Sequence, residues 1–187
     1  MAPRLIIVCA PSGAGKSTLC AKLVADYPEI IENVSFTTRP CRGQEEDGVD
    51  YFFIDQSEFD EKVGRNFFVE WAKVHNACYG VSEAQIATAI AAGRPIILDI
   101  DVQGAKTLKA KFPDALCIFV LPPSIEELKR RLTARDQGKT HNYDVRIANA
   151  TRELEEAKSF KFKVVNDDLD RAYGEFKKIV ETELRTS

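Results

Sequence analysis

The stretch Ala10–Thr18, APSGAGKST, directly follows the apolar run Leu5–Cys9 and mixes small residues with a lysine and hydroxyls. Ser12, Gly13, Ala14 and Gly15 suit a tight turn whose backbone N–H groups face outward, a concavity that attracts anions. Lys16 supplies a point charge for the outer phosphates of a nucleotide, and the Ser17 hydroxyl suits Mg²⁺. The pattern is that of a phosphate loop, except that Ala10 stands where the first glycine is usual. Alanine is tolerated there if the position has ordinary φ. The bland alternative is a chance glycine-rich turn between a strand and a helix. A second constellation lies in SFTTRPCRGQEEDGVDY, where Arg39 and Arg42 precede Tyr51. Guanidinium forks grip phosphate bidentately, and a phenol adds a further bond. A solvated turn with two unpaired arginines is the competing reading.

A phosphate loop needs a strand before it and a helix after it. Leu5–Cys9 reads as a buried strand of a parallel sheet. From Lys16 the pattern turns helical, with Leu19, Leu23 and Val24 at apolar spacing. Three more buried strands are expected at Arg94–Asp101, Ala115–Leu121 and Phe162–Asn166. Between them lie amphipathic helices. One opens on a Ser82/Gln85 capping box and ends at Gly93, and one covers Val102–Lys111. Another opens on Ser124/Glu127 and runs to about Arg135. Two more cover Tyr143–Ser159 and Asp168 to the C-terminus. The alternation predicts an α/β fold of the phosphate-loop NTPase type, a parallel sheet with helices on both faces. Two segments break the rhythm. Asn33–Ala77, rich in aromatics and glycine, is expected to form a small antiparallel insertion. RDQGKTHN, Arg135–Asn142, is expected to be a mobile lid. The resulting division is a single domain with a core of residues 1–32, 82–130 and 151–187, an insertion of 33–81 and a lid of 131–150.

The 187 residues suit one domain. With 26 Lys and Arg against 29 Asp and Glu, the net charge is −3. A general nucleic-acid binder is normally basic, so no nucleic-acid partner is expected and the arginines should act locally. The five scattered cysteines argue for reduced thiols in the cytoplasm and against a structural zinc. The N-terminal apolar stretch is too short for a signal peptide or a membrane span.

From Pro3 to about Tyr173 the chain resembles the guanylate kinases. PSGAGKST, SFTTRPCR, DGVDYFF, FVEWAKV, CYG, LDIDVQGA, PPSIEELKRRL and VVNDDLD all occur in that family's order and spacing. The resemblance implies phosphoryl transfer from ATP to GMP, with Mg²⁺ as the cofactor and dGMP as a related acceptor. By the same resemblance Ser35, Arg39, Arg42, Glu45, Tyr51, Glu70, Tyr79 and Asp101 hold GMP. Ala10, Pro11, Ser12, Gly13, Ala14, Gly15, Lys16, Ser17 and Thr18, together with Arg131, Arg135, Arg146 and Asn166, serve ATP. Lys16, Arg39, Arg131 and Arg146 are the implied catalytic set, and Ser17 the metal-side residue, helped by Asp99 or Asp101 through water.

The chemistry fits these assignments. Glu70, an acid in an apolar strand, can accept both N1–H and the 2-amino group of guanine, a donor pair that adenine lacks. Arg131 and Arg135 share a helix face and, with Arg146, can close on the transferring group. The chain departs from the family after CYG, where Ser or Thr is usual and Val81 stands. Either Ser35 alone serves guanine O6, or Ser82 reaches in. Three rivals are weaker. A GTPase is suggested by DVQG, but no N-K-x-D motif occurs. A kinase-like scaffold module normally degrades the phosphate loop, which is intact here. The third is another nucleoside monophosphate kinase, such as one for dGMP or a modified purine.

Overall fold

The computed structural model describes residues 5–74, 76–135 and 143–185. Strand β1 (Leu5–Cys9) leads into helix α1 (Lys16–Asp26), then into short strands β2 (Ile31–Glu32), β3 (Phe36–Thr37) and β4 (Phe52–Phe53). Helix α2 (Gln56–Gly64) precedes strands β5 (Phe68–Val74) and β6 (Ala77–Ser82). There follow α3 (Glu83–Ala91), β7 (Ile96–Ile100), α4 (Val102–Lys111), β8 (Leu116–Leu121) and α5 (Ile125–Arg135). The chain continues through α6 (Tyr143–Glu156), a 3₁₀ turn (Ala157–Ser159), β9 (Phe162–Val165) and α7 (Leu169–Arg185).

Five strands form a parallel sheet in the order β2-β7-β1-β8-β9. Every residue of β1 is buried, and its side chains alternate between two cores. Leu5, Ile7 and Cys9 face Ile86 of α3 and Val102, Ala105 and Leu108 of α4. Ile6 and Val8 face Leu19 and Leu23 of α1 and Phe176 of α7. Helices on both faces explain why the strands read as unbroken apolar runs. The expected α/β architecture is present. With β1 between β7 and β8, the carboxyl ends of three neighbouring strands open toward the segment that follows Cys9, where α/β sheets bind ligands.

A second sheet, β4-β3-β6-β5, is only partly antiparallel, which corrects the expectation from sequence. β6 pairs antiparallel with β3 and β5, but β3 and β4 run parallel, Phe36 opposite Phe52. The chain between them travels out and back before it rejoins the edge in the same direction. Helix α2 was not expected either, because the flanking aromatic runs read as strand. Its cap was visible in Asp55, whose carboxylate accepts from Glu58 N at 2.8 Å. Phe59 carries the buried face of α2 into an aromatic cluster with Phe36 and Phe68.

One capping box fails. Ser82 occupies the N-cap of α3 without a side-chain cap bond. Gln85 instead turns to Val34, accepting from its N–H at 3.1 Å and donating to its carbonyl at 2.9 Å. Ser124 does cap α5, accepting from Glu127 N at 3.1 Å, while the Glu127 carboxylate turns to Arg130 and Arg131 rather than back to the cap. Helix α6 stops at Glu156, three residues short of its expected end, and a 3₁₀ turn finishes the segment. Of the lid expected over 131–150, residues 136–142, nearly all of the loop Arg135–Asn142, lie outside the described residues. No helix among the described residues is long and apolar enough to cross a membrane.

Candidate active site

After β1 the chain turns sharply, with Ala14 N donating to Pro11 O at 3.0 Å. Gly13 (φ 91°) and Gly15 (φ 92°) take left-handed conformations that side chains resist. Space also demands glycine at position 15, where an added Cβ would fall 2.2 Å from Asn166 Nδ2. Ala10 and Pro11 are buried at the root of the loop, and Thr18 is exposed.

Three of the predicted residues converge on this turn. Asn166, at the end of β9, donates to Ala14 O at 2.8 Å. Arg131 on α5 donates to the Asn166 carbonyl at 3.0 Å and reaches Ala14 O at 3.5 Å. Arg146 on α6 donates to Ser12 Oγ at 3.2 Å. Glu127 steadies Arg131 at 2.8 Å, and its hydrogen bonds from Arg130 and Arg131 pull its carboxyl down to about 2. The side chain of Arg135 lies outside what the structure describes.

Lys16 and Ser17 open α1 and meet one acid. Lys16 Nζ stands 2.6 Å from Asp99 Oδ1, and Ser17 Oγ donates to Asp99 Oδ2. Burial works against the lysine charge, but Asp99 more than offsets it and holds Lys16 above its ordinary value. Asp101 is occupied differently. It caps α4, its Oδ1 accepting from Gln103 N at 2.7 Å and Gly104 N at 3.0 Å. Sequence reasoning missed Glu153 on α6. Burial and the Asp101 carboxylate push it up to about 7, against the pull of Lys16. Its signal was its place seven residues after Arg146, on the same helical face.

The second sheet carries the other constellation. Buried Arg39 forms a two-pronged pair with Glu45, at 2.6 and 2.7 Å, and lies over the Tyr51 ring at 4.8 Å. Tyr51 meets Tyr79 edge-on at 6.0 Å. Burial, and after it the Asp99 carboxylate, raises the Tyr51 phenol, while Lys16 pulls it down. Arg42 is exposed and contributes its backbone N–H to Glu45 at 2.9 Å. Ser35 is buried and accepts a bond from Asn33 Nδ2 at 2.9 Å.

Glu70 is buried on β5, just past a bulge at Phe68–Glu70, opposite Val81 on β6. Burial, then Asp101, pushes its carboxyl up to about 7, with Lys111 opposing. Val81 is 1% exposed and belongs to the apolar core with Val69, Ile86 and Ala89. Trp71, next to Glu70, is half exposed and meets Phe59 edge-on at 6.1 Å. A cavity of about 670 Å³ between α4, β8 and β9 includes Lys106, Cys117 and Phe160 and lies at the opposite end of the sheet from the phosphate loop. None of the predicted site residues lines it.

Residues 2–183 match the family profile described as guanylate kinase. A guanylate kinase of Bdellovibrio bacteriovorus is 48% identical over 181 residues, covering 97% of this chain and 98% of its own length. One from Syntrophotalea carbinolica is 46% identical over 176 residues, 94% of this chain and 84% of that one. The crystal structure of guanylate kinase from Anaplasma phagocytophilum aligns with a TM-score of 0.83 at 27% identity, covering 100% of this chain and 88% of that one.

Proposed function

The chain belongs to the guanylate kinase family and transfers the γ-phosphoryl group of ATP to GMP, giving ADP and GDP, and on that premise we propose how its residues share the reaction. The core, residues 1–32, 82–130 and 151–187, carries ATP. Residues 33–81 carry GMP, and 131–150 close over the transferring group. The backbone of Ala10–Thr18 cradles the ATP phosphates, and Asn166 braces the loop. Lys16, Arg131, Arg146 and Arg135 neutralise charge on the moving group. Arg39, Arg42, Tyr51 and Tyr79 hold the GMP phosphate, with Glu45 orienting Arg39. Ser35, Glu70 and Asp101 face guanine.

The observation that carries this reading is the end of β7, where Asp99 holds Lys16 and Ser17 while Asp101, two residues on, caps α4, whose Gly104 lies against the Glu70 carboxylate. It supports reading the phosphate loop and the guanine side as facing one space. Such an enzyme needs no general base, because phosphoryl transfer depends on alignment and charge neutralisation. Arg39 aligns the GMP phosphate as nucleophile, and exclusion of water keeps the phosphoryl group from hydrolysis. The hard oxygens beside the loop fit Mg²⁺. Ser17 would hold it with Asp99 through water, and the ion would neutralise the phosphate oxygens.

Guanine O6 falls to Ser35. A hydroxyl that accepts from Asn33 keeps its own proton to donate. Five free cysteines support a reducing, cytoplasmic setting. The test is an ADP-coupled assay with GMP, AMP, UMP and CMP as acceptors. Turnover with GMP alone is expected, and equal use of AMP would overturn the role of Glu70.

A further inference from the structure

Helix α4 begins where β7 ends and packs along β5. Its first turn contains Gly104, whose N–H donates to Asp101. A Cβ added at Gly104 would lie 2.9 Å from Glu70 Cδ and 2.9 Å from each of its carboxylate oxygens. The backbone there has no left-handed φ, so the requirement for glycine is one of space. Glycine is a poor helix former, and α4 gives up stability at this position. Near the other end of the same helix, Lys111 Nζ donates to the carbonyl of Val69, the extra residue in the β5 bulge that aims Glu70.

We propose that Gly104 is a positioning residue for base recognition. Its missing side chain lets α4 seat the Glu70 carboxylate at the depth where guanine is read, while Lys111 fixes the bulge that presents it. The segment 99–104 then serves both substrates, because Asp99 at its start holds Lys16 and Ser17. This inference rests on Glu70 being the acceptor for guanine N1–H and the 2-amino group.

Displacing the Glu70 carboxylate disturbs contacts to the base and leaves the phosphate contacts alone. Gly104→Ala is therefore expected to raise the KM for GMP about 10-fold or more, with KM for ATP and saturating kcat within about 2-fold of the parent. Preference for GMP over IMP, which lacks the 2-amino group, should shrink. Glu70→Asp withdraws the carboxylate by one methylene. In the Gly104→Ala background it should recover part of the loss, so that the two changes are non-additive. Should Gly104→Ala lower the melting temperature, Glu70→Asp should restore it, and failure to restore would overturn the proposal. An unchanged GMP KM in Gly104→Ala, with a raised one in Glu70→Gln, would sink the role of Gly104 and leave that of Glu70 standing. Unchanged values in both would overturn the reading of Glu70 itself.

Discussion

At the scale of single residues, Lys16 shares Asp99 with Ser17, which fixes where its charge stands. Its charge matters most when negative charge peaks on the transferring group, so Lys16→Met should lower kcat at least ~100-fold while a thermal melt shows a folded protein. Near-normal turnover would contradict its role. Glu70 has its carboxyl pushed up to about 7, so part of the population is protonated near neutral pH. Only the carboxylate accepts both guanine donors. The KM for GMP should therefore fall as pH rises through 7, and in Glu70→Gln it should be higher and flatter, with ~2–3 kcal/mol lost in kcat/KM. Val81 and Ser35 also make opposite predictions. Val81→Thr buries a hydroxyl in apolar core and should cost ~1–3 kcal/mol in stability without helping GMP. Ser35→Ala should lose ~0.5–1.5 kcal/mol of GMP affinity. Steady-state kinetics and denaturant melts on both variants separate the two effects.

At the scale of elements, α3 is joined to the chain just before β3 by Gln85 rather than capped by it. Its amide acts toward Val34 as a neighbouring strand would, satisfying one N–H and one carbonyl. Gln85→Ala would leave both partly buried groups unpaired and should destabilise the fold by ~1–3 kcal/mol. Since Val34 precedes Ser35, the same variant should raise the KM for GMP more than that for ATP. A variant with unchanged stability and kinetics would show that water replaces the amide. The sequence suggested a capping box because Ser82 and Gln85 have the right spacing, but spacing cannot reveal a competing partner that is distant in sequence.

At the scale of the whole molecule, what could be read from the sequence was whatever is local. The β1–loop–α1 unit lies within one short stretch, and its glycines, lysine and apolar spacing declare it. Strand β2 has two residues, too few for periodicity. Helix α2 lies between aromatic runs whose strand pattern masks its own. Asp99 and Asp101 sit at the same strand end, and only packing assigns one to the phosphate loop and the other to the cap of α4. The Arg39–Glu45 pair was likewise invisible as a contact, although both residues were expected at the site. Because Trp71 is the only tryptophan and adjoins Glu70, GMP should change its emission without ATP present, whereas ATP alone should change it little. An unresponsive signal to GMP would place the acceptor away from β5.

Both carboxylate oxygens of Glu45 sit on the two terminal nitrogens of Arg39, and the guanidinium lies flat enough to rest over the Tyr51 ring. A fork clasped at both prongs has its plane settled by the fold, much as a hinge pin settles the swing of a door. Glu45 therefore governs where a buried charge points, and its loss would leave Arg39 both misdirected and without its counter-charge.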